Sequence, residues 1–303
     1  MTARFILSLD CEGKWGVADT LDPFWHAALS KARLQEAYRK ILALLDEFDV
    51  PATFAFVGLF GESSASLGAL FPELDRLAER SPDYLGAALR DIRDGSRDGW
   101  NGDWAVEAVK GARARHELAL HGVAHIPWGS IDRAFAREEL ALLSLLQPAL
   151  RQAETFVFPR NEVAHTDLLA GIGIKGYRLA RTFGSRAASL ASEFNLIAMP
   201  EDGIPPAEGL CPIPAGYFVN WRHGARRLVP RSLSRLRARR MLHRAEKAGR
   251  IVHYWLHPEN VASAPATLEN LRDVIEVAAR MRDAGRCEIV TQKSYCRAQM
   301  EAI

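Results

Sequence analysis

Two hydrophobic periods alternate along the chain. Phe5–Leu9 is an unbroken apolar run that ends in Asp10, Cys11 and Glu12. Side chains on a strand alternate faces, so Ile6, Ser8, Asp10 and Glu12 share one face, and Phe5, Leu7, Leu9 and Cys11 the other. The strand therefore predicts two carboxylates on an inner face, with Cys11 behind them. Residues 31–47 place Leu34, Tyr38, Ile41 and Leu45 at helical spacing, with charges on the opposite side. Strand-like runs recur at 51–58, 117–122, 155–161, 176–180, 251–257 and 287–292. Helical patterns at 135–150, 231–247 and 267–283 separate several of them, and 210–221 reads as extended or looped.

Repeated strand–helix–strand order predicts a parallel sheet with crossover helices. No Gly-x-Gly-x-x-Gly follows the first strand. Polar residues gather instead at the C-terminal ends of several strands, as in a site built by a β/α barrel. The expected fold is α/β: an irregular (β/α)7-type barrel forming a single domain over 1–303, with an insertion at 59–115. The insertion reads as helices plus an active-site loop around 98–104.

Composition narrows the picture only slightly. The 303 residues are 48% hydrophobic, enough for a sizeable core, and a formal charge of +2 defines no partner. No apolar run approaches the length of a membrane span. The N-terminal segment reads as a strand with an acidic end, not as a secretory signal, so the expected location is cytoplasmic. Cys11, Cys211, Cys287 and Cys296 are scattered, which predicts reduced thiols. One segment stands out. Residues 222–250 hold eleven Arg/Lys and a single acid, Glu246. This is either a solvated basic helix or a surface for phosphate: a nucleotide-linked sugar, a lipid-linked sugar, or the anionic inner face of a membrane. No nucleic-acid-binding motif is present, and nucleic acid is not an expected partner.

The candidate chemistry lies at strand ends. His121 and His125 are spaced so that both imidazoles can reach one ion if the chain turns between them, or they are surface or capping residues. His257 ends a late strand and can serve as a general acid or base, or simply hydrogen-bond there. His253, deeper in the same strand, reads as a core histidine. Arg160 and Asn161 end a fourth strand, where an arginine can orient a carboxylate or form a surface ion pair. Trp15, Trp100 and Trp104 are candidates for stacking on a sugar or for burial. Carboxylates, a histidine pair and a late histidine are together the parts of metal-assisted hydrolysis. Oxygen and nitrogen ligands suit zinc or a similar divalent metal ion.

On these residues the sequence resembles the NodB-like polysaccharide deacetylases, the family 4 carbohydrate esterases. "SLDCE" resembles the motif pairing a catalytic base with a metal-binding acid, "HELALHGVAH" the histidine-pair motif, "ATFAFVG" an early strand, and "WLH" the last motif. The resemblance spans residues 4–260. It implies Asp10 as base, Glu12, His121 and His125 as metal ligands, and His257 as acid. It also implies removal of an acetyl group from an N-acylated sugar, as in surface-polysaccharide or O-antigen assembly, and the residues themselves do not discriminate acetyl from formyl. The sequence departs from the pattern in four places. The usual Asp-Asp-Gly is absent, which leaves Cys11 as an alternative ligand to Glu12. Gly122 follows the first histidine where a hydroxyl residue is usual. Arg160 follows Pro159 instead of preceding it. "IPAGYFVNW" stands in for the fourth motif, with Tyr217 and Trp221 as wall candidates. Two other readings stay open: a metal-independent, allantoinase-like amide hydrolase, and a non-catalytic module that binds glycans or lipid carriers on a decayed barrel.

Overall fold

A computed structural model describes residues 2–181, 190 and 199–302. Its strands are β1 (Ala3–Cys11), β2 (Thr53–Phe56), β3 (Glu117–Leu120), β4 (Thr155–Phe156), β5 (Gly176–Arg178), β6 (Cys211–Ile213), β7 (Tyr217–Phe218), β8 (Ile251–Leu256) and β9 (Cys287–Val290). They form one sheet in the order β6-β5-β4-β3-β2-β1-β8-β7, and β9 also pairs with β1. Every ladder is parallel. The sheet curls as an irregular (β/α) barrel, as the strand–helix alternation predicts.

β1 is the hub. Its first half pairs with β9 (Ala3 with Cys287) and its second half with β2 (Ser8 with Thr53), both along one edge. β8 pairs along the other, from Arg4–Ile251 to Leu9–Leu256. Alternation sorts its side chains as expected. Phe5, Leu7, Leu9 and Cys11 join the large core beneath the helices. Ile6 points inward and packs with Cys211, Ile213 and Ile251 near the floor of the barrel. Above that floor the interior turns polar, which is unusual for a barrel core and prepares the site.

The helix Lys31–Glu47 buries Leu34, Tyr38, Ile41 and Leu45 as its spacing requires. The insertion supplies four helices, Ser64–Ala69, Phe71–Arg80, Pro82–Arg93 and Asp103–Lys110. The helix expected over 135–150 is broken. An α-helix at Arg133–Ala141 gives way to a 3-10 turn at Leu142–Leu145, and a new turn starts at Pro148. Proline disfavours a helical residue before it and cannot donate its own backbone bond, so the apolar pattern alone was misleading there. The late strand is also shorter than 287–292. Thr291 caps a further helix, Gln292–Glu301, by accepting from the Ser294 N–H. This helix closes the bottom of the barrel: Gln292 N–H donates to Thr53 Oγ1, and Lys293 N–H donates to buried Glu117.

His253 is a core histidine, as read. Nδ1 lies 2.6 Å from the Pro214 carbonyl and Nε2 2.9 Å from Ser8 Oγ, so the neutral ring donates from one side and accepts on the other. Burial, with the Arg178 charge nearby, pushes its pKa down to about 3. An unfolded histidine titrates near 6.5. Between those values the unfolded chain binds a proton that the folded chain refuses, so this contribution to stability is complete above about pH 6.5 and falls with pH at about 1.4 kcal/mol per unit. Urea melts at pH 7 and pH 5 should differ by about 2 kcal/mol more in the wild type than in His253→Gln; equal differences would remove this histidine from the account.

Candidate active site

The C-terminal ends of β1, β3 and β8 converge on one point. Glu12 leaves β1 just past its last residue, where Glu12 N–H and Gly13 N–H donate to Glu259 Oε1 at 3.1 and 2.5 Å. Gly13 adopts a φ of 57°, and a Cβ there would strike the Phe60 ring at 2.4 Å, so the sharp exit requires glycine. Three imidazoles surround Glu12 Oε1: His121 Nε2 at 3.0 Å, His125 Nε2 at 3.1 Å and His257 Nε2 at 3.3 Å. Burial alone would raise the Glu12 carboxyl, but the charges of His257 and His125 and the histidine hydrogen bonds hold it well below the usual range.

The histidine pair is positioned from behind. His121 Nδ1 lies 2.9 Å from the Val157 carbonyl, which orients Nε2 into the site. Between the two histidines, buried Glu139 accepts from Val123 N–H (3.0 Å), Ala124 N–H (2.8 Å) and Trp128 Nε1 (2.6 Å). Gly122 has a φ of 70°, and a Cβ there would meet Pro159 Cγ at 2.8 Å. Geometry explains the glycine: a hydroxyl residue does not fit, and Glu139 holds the loop instead. His257 donates backbone N–H to Asn260 Oδ1, and its Nδ1 lies 3.1 Å from the same oxygen. Burial would lower the His257 pKa, but the Glu12 charge and hydrogen bond, with Asp10 and Glu259, push it up to about 10.

Asp10 faces the same point one alternation step below, with Oδ2 4.0 Å from His257 Nε2. Arg178 grips it with two parallel bonds, Nη1 to Oδ1 at 2.8 Å and Nη2 to Oδ2 at 2.6 Å. The same guanidinium donates to Ser8 Oγ and Asn161 Oδ1 and lies 4.7 Å over the Trp255 ring. Burial would raise the Asp10 carboxyl, but Arg178, with His121 and His257, keeps it below the ordinary range. The sequence leaves Arg160 either to orient a carboxylate or to form a surface ion pair, and the ion pair is what forms. Its side chain pairs with Asp19 at 2.5 Å at the pocket rim. Arg178 comes from "GYRLA": in this three-residue strand it shares its face with Gly176, and that face points into the barrel.

A pocket of about 330 Å³ opens over this cluster, and Arg160 and Asn161 line it. Both have left-handed backbones, with φ of 54° and 57°. The candidate stacking tryptophans are elsewhere. Trp15 and Trp100 are buried edge to face against each other, and Trp15 Nε1 donates to the Trp100 carbonyl. Trp104 packs edge-on against Tyr38. The 98–104 segment is thus a buttress behind the β1 exit, where Lys14 N–H donates to the Gly99 carbonyl, and not a pocket loop. Trp25, which the sequence reading passed over, is the tryptophan that lines the pocket. Trp221 stacks on Trp25 behind that wall, and Tyr217 hydrogen-bonds the Met199 carbonyl.

Among the described residues, Glu12, His121 and His125 form one group able to hold a metal ion, with ligand atoms within 4.8 Å of one another. The donor set fits a divalent cation: one carboxylate oxygen and two Nε2 atoms, with His121 fixed in orientation by a carbonyl. Cys11 is not part of it. Its buried thiol points to the opposite face, toward the Leu9 carbonyl.

No family model matches the sequence, and no curated protein matches it. Solved structures do. A protein from Mycobacterium smegmatis assigned as a polysaccharide deacetylase superposes with a TM-score of 0.60 at 17% identity, covering 99% of this chain and 91% of that one. One from Pseudomonas aeruginosa PAO1, assigned likewise, gives 0.57 at 14%, covering 97% and 90%. A Puue allantoinase gives 0.54 at 13%, covering 97% and 90%. The parallel curled sheet is thus the fold that this chain shares with those two solved polysaccharide deacetylases and with the allantoinase.

Proposed function

We propose that this protein is a metal-dependent hydrolase that removes an acetyl or formyl group from an N-acylated sugar. One observation carries the reading. A carboxylate clamped by arginine (Asp10) stands beside a separate carboxylate–histidine group (Glu12, His121, His125), with His257 facing both. Base, cation site and acid are three distinct positions within one pocket. A divalent ion, zinc by the ligand types, would supply Lewis acidity toward water and the acyl carbonyl.

The chain's own groups do the rest. Arg178 keeps Asp10 ionised and fixed in direction, so Asp10 takes the proton of the attacking water. Asn260 holds the His257 ring so that Nε2 can hand a proton to the leaving amine. Asn161, tied to Arg178, and Trp25 form walls for the sugar. The substrate is a small saccharide, nucleotide-linked or lipid-linked, in surface-polysaccharide assembly. The basic segment 222–250, whose Arg226 lies over Phe218 and through it approaches His257, supports a phosphate-bearing substrate. Four free buried cysteines accord with a reducing cytoplasm.

The test is metal analysis of untagged protein combined with acetate and formate release across N-acylated sugars. We expect a stoichiometric divalent metal, activity abolished by chelation, and recovery on adding metal. Activity that survives complete chelation would leave the metal-independent amide hydrolase. Tight sugar binding with no release by loaded protein would leave the binding module.

A further inference from the structure

The helix Arg231–Ala248 carries more positive charge than the fold uses. Arg231 pairs with Asp273 and Glu269, Arg235 with Asp273 and Glu276, and Arg250 beyond the helix with Asp202. Arg237 is buried near the Tyr217 and Tyr254 rings. These bonds stitch the helix to the barrel and to the helix Thr267–Asp283. A second set does nothing of the kind. Arg227, Arg239, Arg240 and Lys247 are exposed, and no acid lies within ion-pair distance of any of them among the described residues.

The spacing of this second set is regular. From 236 the pair 239 and 240 lies three and four residues on, 243 three and four beyond that pair, and 247 four beyond 243, so these positions form one stripe along the outer face of the helix. The stripe reads Leu, Arg, Arg, His, Lys. Leu236 is 37% exposed, and Leu228, next to Arg227 just before the helix, is 72% exposed. The nearby acid, Glu246, is spent on Arg286, which also reaches His243. A helix face that serves only solubility mixes signs, because like charges one turn apart repel. This one presents Arg239, Arg240 and Lys247 with Leu236 around His243, and the acid beside it, Glu246, is already paired with Arg286.

We propose that the stripe Leu236–Lys247, with Arg227 and Leu228, docks the protein on an anionic lipid bilayer. Charge complementarity selects the occupant: cations meet the lipid phosphates, and the two leucines enter below the headgroups. A nucleic-acid surface would place aromatic rings among its cations for bases to stack on; this stripe has no Phe, Tyr or Trp, and its one imidazole, His243, is engaged by Arg286 and Glu246. Docking also orients the pocket. The helix begins at the end of the sheet where β8 delivers His257, since β8 follows it and runs back to that end. Trp25 of the pocket wall stacks on Trp221, and Trp221 on His223, which leads directly into 224–228. Bilayer contact would hold the pocket mouth near headgroup level, where a lipid-linked sugar presents its polar end.

This inference stands apart from the hydrolase reading, because binding is measured without turnover. The test is co-sedimentation of the full chain with phosphatidylcholine vesicles, with and without phosphatidylglycerol, at low and high salt, beside a single-stranded RNA control. We expect binding to the anionic vesicles only, weakened by salt. The combined Arg239→Glu, Arg240→Glu, Lys247→Glu variant should bind about tenfold more weakly or worse. Leu228→Asp should weaken binding while leaving the salt dependence in place. Equal binding to neutral vesicles, wild-type affinity in the triple variant, or binding to RNA without binding to vesicles would each overturn the proposal.

Discussion

Asp10→Asn is expected to lower kcat on an N-acylated sugar by about two to four orders of magnitude while metal content stays at the wild-type level. Asparagine keeps an acceptor for Arg178 but has no basic oxygen for the proton of water. Glu12, His121 and His125 do not touch Asp10 through hydrogen bonds, so the cation site should persist. Steady-state kinetics and metal analysis on one sample decide the matter. A variant within a few-fold of wild type would take the base role away from Asp10. A variant that lost its metal would show that the two carboxylates are one unit and not two.

Arg178→Met should cost stability as well as rate. Both members of the Arg178–Asp10 pair are buried, with side chains 0% and 2% exposed. Removing one partner of such a pair strands the other charge, a loss of about 3–5 kcal/mol in urea denaturation. Ser8 Oγ and Asn161 Oδ1 also lose their donor. Arg178→Lys keeps the charge but cannot make the two-pronged grip, so it should fall between Met and wild type in both stability and kcat. A Met variant that melts with wild-type protein would mean that the pair contributes nothing net and that Asp10 is held by other means.

The strands and the long helices were legible because their periods are set by burial on one face, and β1 obeys alternation residue by residue. Asp10, Glu12, His121, His125 and His257 were legible because chemistry-bearing types clustered at predicted strand ends, and the fold brings all five together. The tryptophans were not. A sequence shows that an indole is large and not which side of the barrel it fills, and Trp15 and Trp100 chose the buried side. Arg178 was hidden for a related reason. Its strand has three residues, too few for a period to declare an inner face, and its partner is 168 residues away. Glu139, Glu259 and Asn260 act by holding loops, and that work leaves no local motif.

The position of β1 carries a cost in time. The first strand of the sequence lies at the centre of the sheet, and its partners come from residues 53–56, 251–256 and 287–290. Ala3 therefore waits for Cys287, and β1 completes its ladder only after all the residues between them have been made. Pairings of such sequence separation are slow, and an unpaired central strand this apolar is adhesive meanwhile. Refolding from denaturant should be slow and concentration-sensitive, and in a cell β1 is the segment that a chaperone has most reason to cover.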